Sequence, residues 1–358
     1  MITEDQIHII LKEKTSILSQ GIIDAMDVQP YAIYLVGGYG RGEGAWYEDE
    51  IGIHPYNDFD LAVITDNPLS FEKTESLRKE LSNRVGIKWV DIDFYTPDIL
   101  KRLKPTIHDI DLVEGHSLIF GEDVIKQNNI TLDSRKIGKE DLILLYRTRM
   151  WTLLGSWEGG FHDLNIEEAR FFKNQMAKAI LAAGDMRLVK LKRYTTSYIE
   201  RAKLISEIFK SDSCICELTQ WAITEKTRPS SSVMKQLDME QLYFSVKEEF
   251  LRSFRYAFAP RPEYFLNPDK TKIYYMFHTK TYLYHIYSLI RHGRSTVARS
   301  MDVFYAMNYV LHANCKGSLD KKKLNKASKL LLKNGYIQAP SESWDELRLL
   351  TAKARNNS

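Results

Sequence analysis

The chain has 358 residues, a formal net charge of +3, 44% hydrophobic residues and three cysteines. Its length predicts two domains, and its composition excludes long disorder, a collagen-like repeat and a coiled-coil rod. No apolar run approaches the roughly 18 residues that a membrane span requires. The first residues lack the pattern of a secretory signal, and the cysteines are too few for a disulfide framework. We therefore expect a cytoplasmic protein without a membrane partner.

The charge is divided unevenly along the chain. Residues 1–140 carry a net charge of −10, and the remaining residues carry +13. Opposite charge in two parts of a chain indicates different roles for them, although drift of surface composition would give the same numbers.

Helices and short strands alternate in the first third of the sequence. Apolar residues at helical spacing predict a helix over 3–19, and short apolar runs that end at Gly, Pro or Asp predict strands. The predicted strands are 31–36, 60–65, 87–95 and 116–120, and the predicted helices among them are 68–85, with Gly86 as its stop, and 97–103.

Long helical patterns dominate after residue 138. The predicted helices are 139–157, 165–192, 195–210, 232–256, 271–291, 296–313 and 321–334. The sequence therefore predicts an α+β domain over 1–135 and an all-helical domain over 136–358.

Four aspartates lie on or beside two of the predicted strands. Because side chains alternate faces along a strand, Asp58 and Asp60 point the same way, and so do Asp91 and Asp93. Carboxylates that converge repel one another and are costly to bury without a cation. Mg²⁺ suits such oxygen ligands and typically binds one or two carboxylates together with substrate phosphates.

A glycine-rich stretch follows the first strand, Gly37-Gly-Tyr-Gly-Arg-Gly-Glu-Gly44. Gly37, Gly38 and Gly40 leave backbone N–H groups accessible to phosphate oxygens. Arg41 could neutralise phosphate charge, or it could pair with Glu43. A phosphate cradle beside paired carboxylates is the arrangement that phosphoryl or nucleotidyl transfer requires.

Together these motifs resemble the nucleotidyltransferase superfamily that includes DNA polymerase beta. The matching residues are Gly37-Gly38, Asp58-Phe-Asp60 and a third carboxylate, Asp93 or Asp91. Asp93 is preferred because its strand runs into Pro97, as in the family. The resemblance covers about residues 30–121. It implies a small nucleotidyltransferase-type mixed sheet with flanking helices, followed by the helical domain.

The resemblance implies a Mg²⁺-dependent transfer of a nucleoside monophosphate from an NTP, expected to be ATP. The acceptor would be a hydroxyl of a small molecule, a protein or an RNA end, and pyrophosphate would be released. Asp58 and Asp60 would hold two metal ions, and Asp93 would complete the second metal site and help to deprotonate the acceptor. The alternatives are an enzyme linked to nucleic acid or to cyclic or oligonucleotide synthesis, and a non-catalytic, antitoxin-like nucleotide-binding module.

Three features leave alternatives open. Gly38 stands where many relatives carry Ser, so phosphate contacts there would come from the backbone. Residues 45–56 form an acidic and aromatic insertion, interpreted as a surface loop or as a flap over a ligand. In the helical half, the resemblance implies a lysine that contacts the triphosphate, for which Lys178 is the candidate. A solvated stripe with Asn174 and Asp185 is the other interpretation.

Overall fold

The computed structural model describes residues 3–56, 58–259, 296–316 and 318–356. The chain separates into two compact units. The first unit comprises Met1–Asp141, Leu191–Ser211 and Ile223–Ser230, and the described residues of the second fall within Leu142–Lys190, Asp212–Ala222 and Ser231–Ser358. Two segments from the later part of the sequence thus belong to the first unit. The predicted division into 1–135 and 136–358 stays a prediction.

The first unit contains a mixed sheet and a separate hairpin. Its strands are β1 (Ala32–Val36), β2 (Trp46–Glu48), β3 (Ile53–Pro55), β4 (Phe59–Ile64), β5 (Val90–Tyr95) and β6 (Ser117–Gly121). The sheet has the order β5-β4-β1-β6, in which β1 is antiparallel to both neighbours and β4 is parallel to β5. Each predicted strand is present with its ends shifted by at most a few residues.

Helices make up most of the remaining structure. In chain order they are α1 (Glu4–Ala25), α2 (Gly37–Gly40), α3 (Phe71–Val85), α4 (Pro97–Leu100), α5 (Ile107–Glu114), α6 (Val124–Gln127), α7 (Lys139–Gly155), α8 (Ile166–Lys190), α9 (Tyr198–Ile208), α10 (Ser213–Thr227), α11 (Gln236–Ala257), α12 (Thr296–Ala313), α13 (Lys321–Lys333) and α14 (Trp344–Asn356). The predicted fold class, an α+β arrangement with a small mixed sheet, flanking helices and a helical later part, is confirmed.

Helices cover both faces of the sheet. Strand residues such as Leu35 and Leu61 lie in one core cluster with Leu18 of α1 and Leu77 of α3. The alternate strand residues lie in a second cluster with residues of α4, α5 and α6, and its strand members are Ala32, Tyr34, Ala62 and Ile64. Strand periodicity places Asp60 on this second face.

Local capping defines the ends of the helix that follows β4. The hydroxyl of Ser70 accepts a hydrogen bond from the Lys73 N–H at 3.3 Å, and Gly86 ends α3 with a φ of 73°. The predicted stop at Gly86 is confirmed. The predicted start at Pro68 is wrong, because the Ser70 cap begins the helix at Phe71.

The insertion at residues 45–56 folds as the β2–β3 hairpin. Trp46 is buried, and its ring meets the Tyr39 ring edge-on at 5.5 Å between centroids. The Tyr39 hydroxyl donates to the Ala45 carbonyl at 2.7 Å and accepts from the Tyr56 N–H at 3.1 Å. Residues 48–50 are exposed. The insertion therefore has a buried anchor beside the glycine-rich stretch and an exposed tip.

The second unit is built mainly from helices. α8 is buried along most of its length and packs against α11, and α12 packs against α13 and α14. Two short strands, β7 (Asn314–Cys315) and β8 (Ser318–Leu319), form a ladder of two residue pairs. Sequence patterns missed α10 and α14, and the predicted helix 271–291 lies outside the described residues. Among the described helices, none is both long and apolar enough to cross a membrane.

Candidate active site

The glycine-rich stretch forms a tight turn between β1 and α2. Gly37 has a φ of +64°, and a Cβ at this position would lie 2.2 Å from Oδ2 of Asp60. A Cβ on Gly40 would lie 2.4 Å from the Leu35 carbonyl oxygen and 2.8 Å from that of Gly115. Only glycine fits at these two positions without displacement of its neighbours. The Asp60 carboxylate therefore packs directly against the backbone of the turn.

The sheet register sets the spacing of the carboxylates. Asp60 stands opposite Asp91 across the parallel β4–β5 pair, whereas Asp93 stands opposite Ala62. Asp58 lies one residue before β4 and is half-buried, as Asp60 and Asp91 are, and Asp93 is exposed. Adjacent strands are about 4.8 Å apart, and two residues along a strand add about 6.6 Å. The backbone therefore places Asp91 nearer to Asp60 than Asp93.

Asp91 also contacts the residue just before β5 and a residue of α3. Nε1 of Trp89 donates to Oδ1 of Asp91 at 2.8 Å, and Nη2 of Arg78 lies 3.9 Å from the same oxygen. The side chain remains 44% exposed. These contacts orient the Asp91 carboxylate and leave it accessible to a ligand.

The fit of these carboxylates to a divalent cation depends on how many ligands the protein must supply. Within the described parts of the chain, no three His, Cys, Asp or Glu side chains form a group that could hold a metal ion. Mg²⁺ commonly takes only one or two protein carboxylates and completes its shell with phosphate oxygens and water. Asp60 against the glycine turn fits an ion shared with phosphates, and the predicted magnesium site stays a prediction.

Arg41 is turned into the protein. Its Nε lies 3.3 Å from Oε2 of Glu43, its Nη1 lies 3.6 Å from Oδ2 of Asp111, and its side chain is 5% exposed. Burial opposes the guanidinium charge, but Tyr198, Asp111 and Glu43 outweigh that effect and raise the pKa of Arg41. Of the two interpretations of Arg41, the structure contains the ion pair with Glu43. A phosphate contact of Arg41 stays a prediction.

Glu43 has a structural role that the sequence patterns did not indicate. Its Oε1 accepts from the Ser197 hydroxyl at 2.7 Å and the Ile199 N–H at 3.2 Å, and its Oε2 accepts from the Tyr198 N–H at 2.9 Å. The Glu43 N–H in turn donates to the Gly38 carbonyl at 2.8 Å. One buried acidic residue thus closes the glycine turn and caps the start of α9.

Aromatic and cationic side chains complete this network. The Tyr198 ring lies against two guanidinium groups, with centroid distances of 4.6 Å for Arg41 and 4.5 Å for Arg201. The Tyr194 hydroxyl donates to Oδ1 of Asp111 at 2.8 Å.

One part of this network has a sequence signal, because Ser197 stands just before a helical pattern and serine is a preferred N-cap residue. Its partner Glu43, 154 residues earlier, has no sequence signal.

The predicted polar stripe of α8 lies in the second unit. Asn174 and Asp185 are buried, at 6% and 7% exposure, and Lys178 is half-buried. The interpretation of a solvated stripe is therefore wrong for Asn174 and Asp185, because neighbouring elements cover that face of the helix. The role of Lys178 toward a triphosphate stays a prediction.

Comparison with known proteins gives a distant structural likeness. No protein-family model and no curated protein matches the chain. A solved structure of spectinomycin adenyltransferase from Enterococcus faecialis, with ATP and spectinomycin, aligns with 67% of this chain and 98% of its own. The sequence identity is 11% and the TM-score is 0.43. A likeness at that score supports no conclusion about activity, which must come from the residues of this chain.

Substitution of Gly37 by Ala should destabilise the first unit. The new Cβ would displace the Asp60 carboxylate and would also require alanine at a positive φ. Gly42→Ala is the matched control, because Gly42 has a φ of +73° and no described atom lies within 4 Å of the place its Cβ would take. We expect Gly37→Ala to lose about 1 kcal/mol beyond the control, at the low end of the roughly 1–3 kcal/mol cost of overpacking, because the Asp60 carboxylate is the end of a side chain that can move aside. Urea unfolding of both variants measures this difference, and equal losses would contradict it.

Substitution of Glu43 by Gln should remove a pH-dependent part of the stability. Burial raises the pKa of Glu43, but its hydrogen bonds and the charge of Arg41 lower this pKa by a larger amount. The pKa of Glu43 is therefore below the ordinary value of 4.5. The carboxylate therefore stabilises the fold fully above pH 4.5, and this contribution is lost as the pH falls through the lower folded-state pKa. We expect Glu43→Gln to cost about 1–3 kcal/mol at pH 7, and the deficit to shrink toward pH 3.

Thermal unfolding of wild type and Glu43→Gln between pH 7 and pH 3 tests this expectation. Glu13→Gln is the control, because Glu13 is an exposed glutamate of the same unit. A deficit that stays constant across the pH range would show that the charge of Glu43 is not the cause.

Proposed function

We propose that the first unit carries a nucleotidyltransferase site that moves a nucleoside monophosphate from an NTP to an acceptor hydroxyl. The observation that carries the proposal is the packing of the Asp60 carboxylate against the glycine turn, 2.2 Å from the position of a Cβ on Gly37. The contact places a carboxylate, which is a group that binds metal ions, beside backbone N–H groups, which are groups that bind phosphate. The donor expected from the sequence is ATP.

The glycine turn supports binding of the phosphate groups. Phosphate oxygens accept hydrogen bonds from backbone N–H groups, and residues without side chains let them approach the main chain closely. A Cβ on Gly38 would lie 3.4 Å from the Glu43 carbonyl oxygen, which is an ordinary van der Waals distance. The hydrogen bonds of Glu43 hold the backbone of this turn in place, which favours phosphate binding without a change of backbone conformation.

Asp91 is the third carboxylate in this proposal. It stands directly opposite Asp60 in the strand register, and the hydrogen bond from Trp89 fixes its orientation. Asp93 is two residues farther along β5 and opposite Ala62. The sequence resemblance favoured Asp93, and the register is the reason to prefer Asp91.

The residues support an in-line displacement at the α-phosphorus. The acceptor oxygen forms a new bond to phosphorus as the bond to the pyrophosphate oxygen breaks. The proton of the hydroxyl passes to a carboxylate oxygen of Asp91, and the electron pair leaves with pyrophosphate. Asp58 and Asp60 would hold Mg²⁺, which when bound neutralises phosphate charge.

Replacement of both Asp58 and Asp60 by Asn should abolish transfer. Wild type is incubated with each α-³²P-labelled NTP and a cell extract, and the small-molecule, protein and RNA fractions are separated. We expect a loss of at least about 1,000-fold in the double variant, because metal ligation contributes several kcal/mol. Asp98→Asn, at an exposed aspartate of α4, is the control. Retained transfer in the double variant would overturn the assignment, and NTP binding without transfer by wild type would favour a non-catalytic module.

A comparison of Asp91→Asn with Asp93→Asn identifies the third carboxylate. If Asp91 accepts the proton, its variant should lose at least about 100-fold in kcat, and Asp93→Asn should stay close to wild type. The label-transfer assay measures both rates once the acceptor fraction is known. The reverse order of the two losses would restore Asp93 to this role.

A further inference from the structure

A pocket of about 410 Å³ lies in the second unit, and none of its lining residues belongs to the proposed transferase site. The lining includes Phe244, Lys247 and Arg255 of α11, His312 of α12, and Lys316 after β7. The volume falls within the roughly 300–1,000 Å³ of small-molecule sites. Basic side chains predominate among its charged lining residues.

Lys247 is the buried charge of this pocket. The residue is 4% exposed, its Nζ donates to the Asn314 carbonyl, and its ammonium lies 5.5 Å from the centroid of the Phe244 ring. In the part of the chain that the structure describes, no carboxylate lies within ion-pair distance of Nζ. Burial lowers the pKa of Lys247 to about 8 and outweighs Cys315 and Glu248, which favour the charged form of this ammonium. An anion in the pocket would offset this desolvation.

Neighbouring groups make the local potential positive. Burial is the main reason that the pKa of His312 falls to about 3, and the charges of Lys247, Arg255 and Lys323 lower it further. Arg255 and Lys316 are exposed, so both side chains are accessible to a ligand. Glu248 is the acidic side chain of the lining, and it is exposed as well.

We propose that this pocket binds a small molecule through a phosphate group. Lys247 contacts the phosphate from the buried wall, and Arg255 and Lys316 contact it from the exposed side. Several cationic donors around one pocket complement a group that carries more than one negative charge. The Phe244 ring and the stem of Lys247 provide an apolar surface for the rest of the molecule. This site is independent of the proposed transferase activity.

Equilibrium dialysis of the full chain with ³³P-labelled inorganic phosphate tests the proposal. The proteins compared are wild type, Lys247→Met, the double variant Arg255→Gln/Lys316→Gln, and the control Lys322→Gln/Lys329→Gln. The control removes two exposed charges of α13 that do not line the pocket. Phosphate held by the glycine turn would contribute equally to all four proteins, so differences between them report on the pocket.

We expect saturable binding by wild type and by the control, and affinities at least about tenfold weaker in both pocket variants. The exposed double variant keeps the test decisive if Lys247→Met does not fold. Equal affinity in the exposed pocket variant and wild type, or an equal loss in the control, would overturn the proposal. The same is true if ¹⁴C-labelled acetate binds as tightly as phosphate, because a carboxylate site would then explain the pocket.

Discussion

The buried carboxylate of Glu43 is the interaction that holds the first unit together around its glycine turn. Donors from Ser197, Tyr198 and Ile199 converge on its two oxygens, and its own N–H closes the glycine turn onto Gly38. Separation of these groups would leave both a charge and backbone donors without partners in an apolar setting. The position of α9 and the shape of the turn are therefore coupled, and the turn shape sets the contact between Gly37 and Asp60.

The register between β4 and β5 decides which of the aspartates are neighbours. The alternation of strand side chains indicates from sequence that Asp58 and Asp60 point the same way on one strand, and that Asp91 and Asp93 point the same way on another. It does not indicate which pair of residues lies side by side, because a shift of the strands along each other leaves each local pattern unchanged. The packing of both strands into the sheet decides this, and it sets Asp91 beside Asp60.

The burial of polar groups in the second unit is not predictable from helical periodicity. Helical periodicity predicts which residues share a stripe, as it did for Asn174 and Asp185, but not what lies over the stripe. In the structure that stripe is covered, and Lys247 is likewise enclosed although it belongs to a helix with many exposed charges. Enclosure of polar groups restricts them to defined partners, and among the described residues no carboxylate lies within ion-pair distance of the enclosed ammonium of Lys247.

Local sequence was sufficient to predict the four strands of the mixed sheet, the glycine turn, the order of the aspartates and most of the long helices, but not the β2–β3 hairpin, α10 or α14. These features depend on strand alternation, on helix spacing and on the freedom of glycine to adopt a positive φ, all of which act over a few residues. Tertiary packing was needed to set the β4–β5 register, the capping of α9 by Glu43, the pairing of Arg41 with Asp111 and the enclosure of Lys247. Those contacts join residues far apart in the chain, and their stability comes from packing and desolvation that no local pattern records.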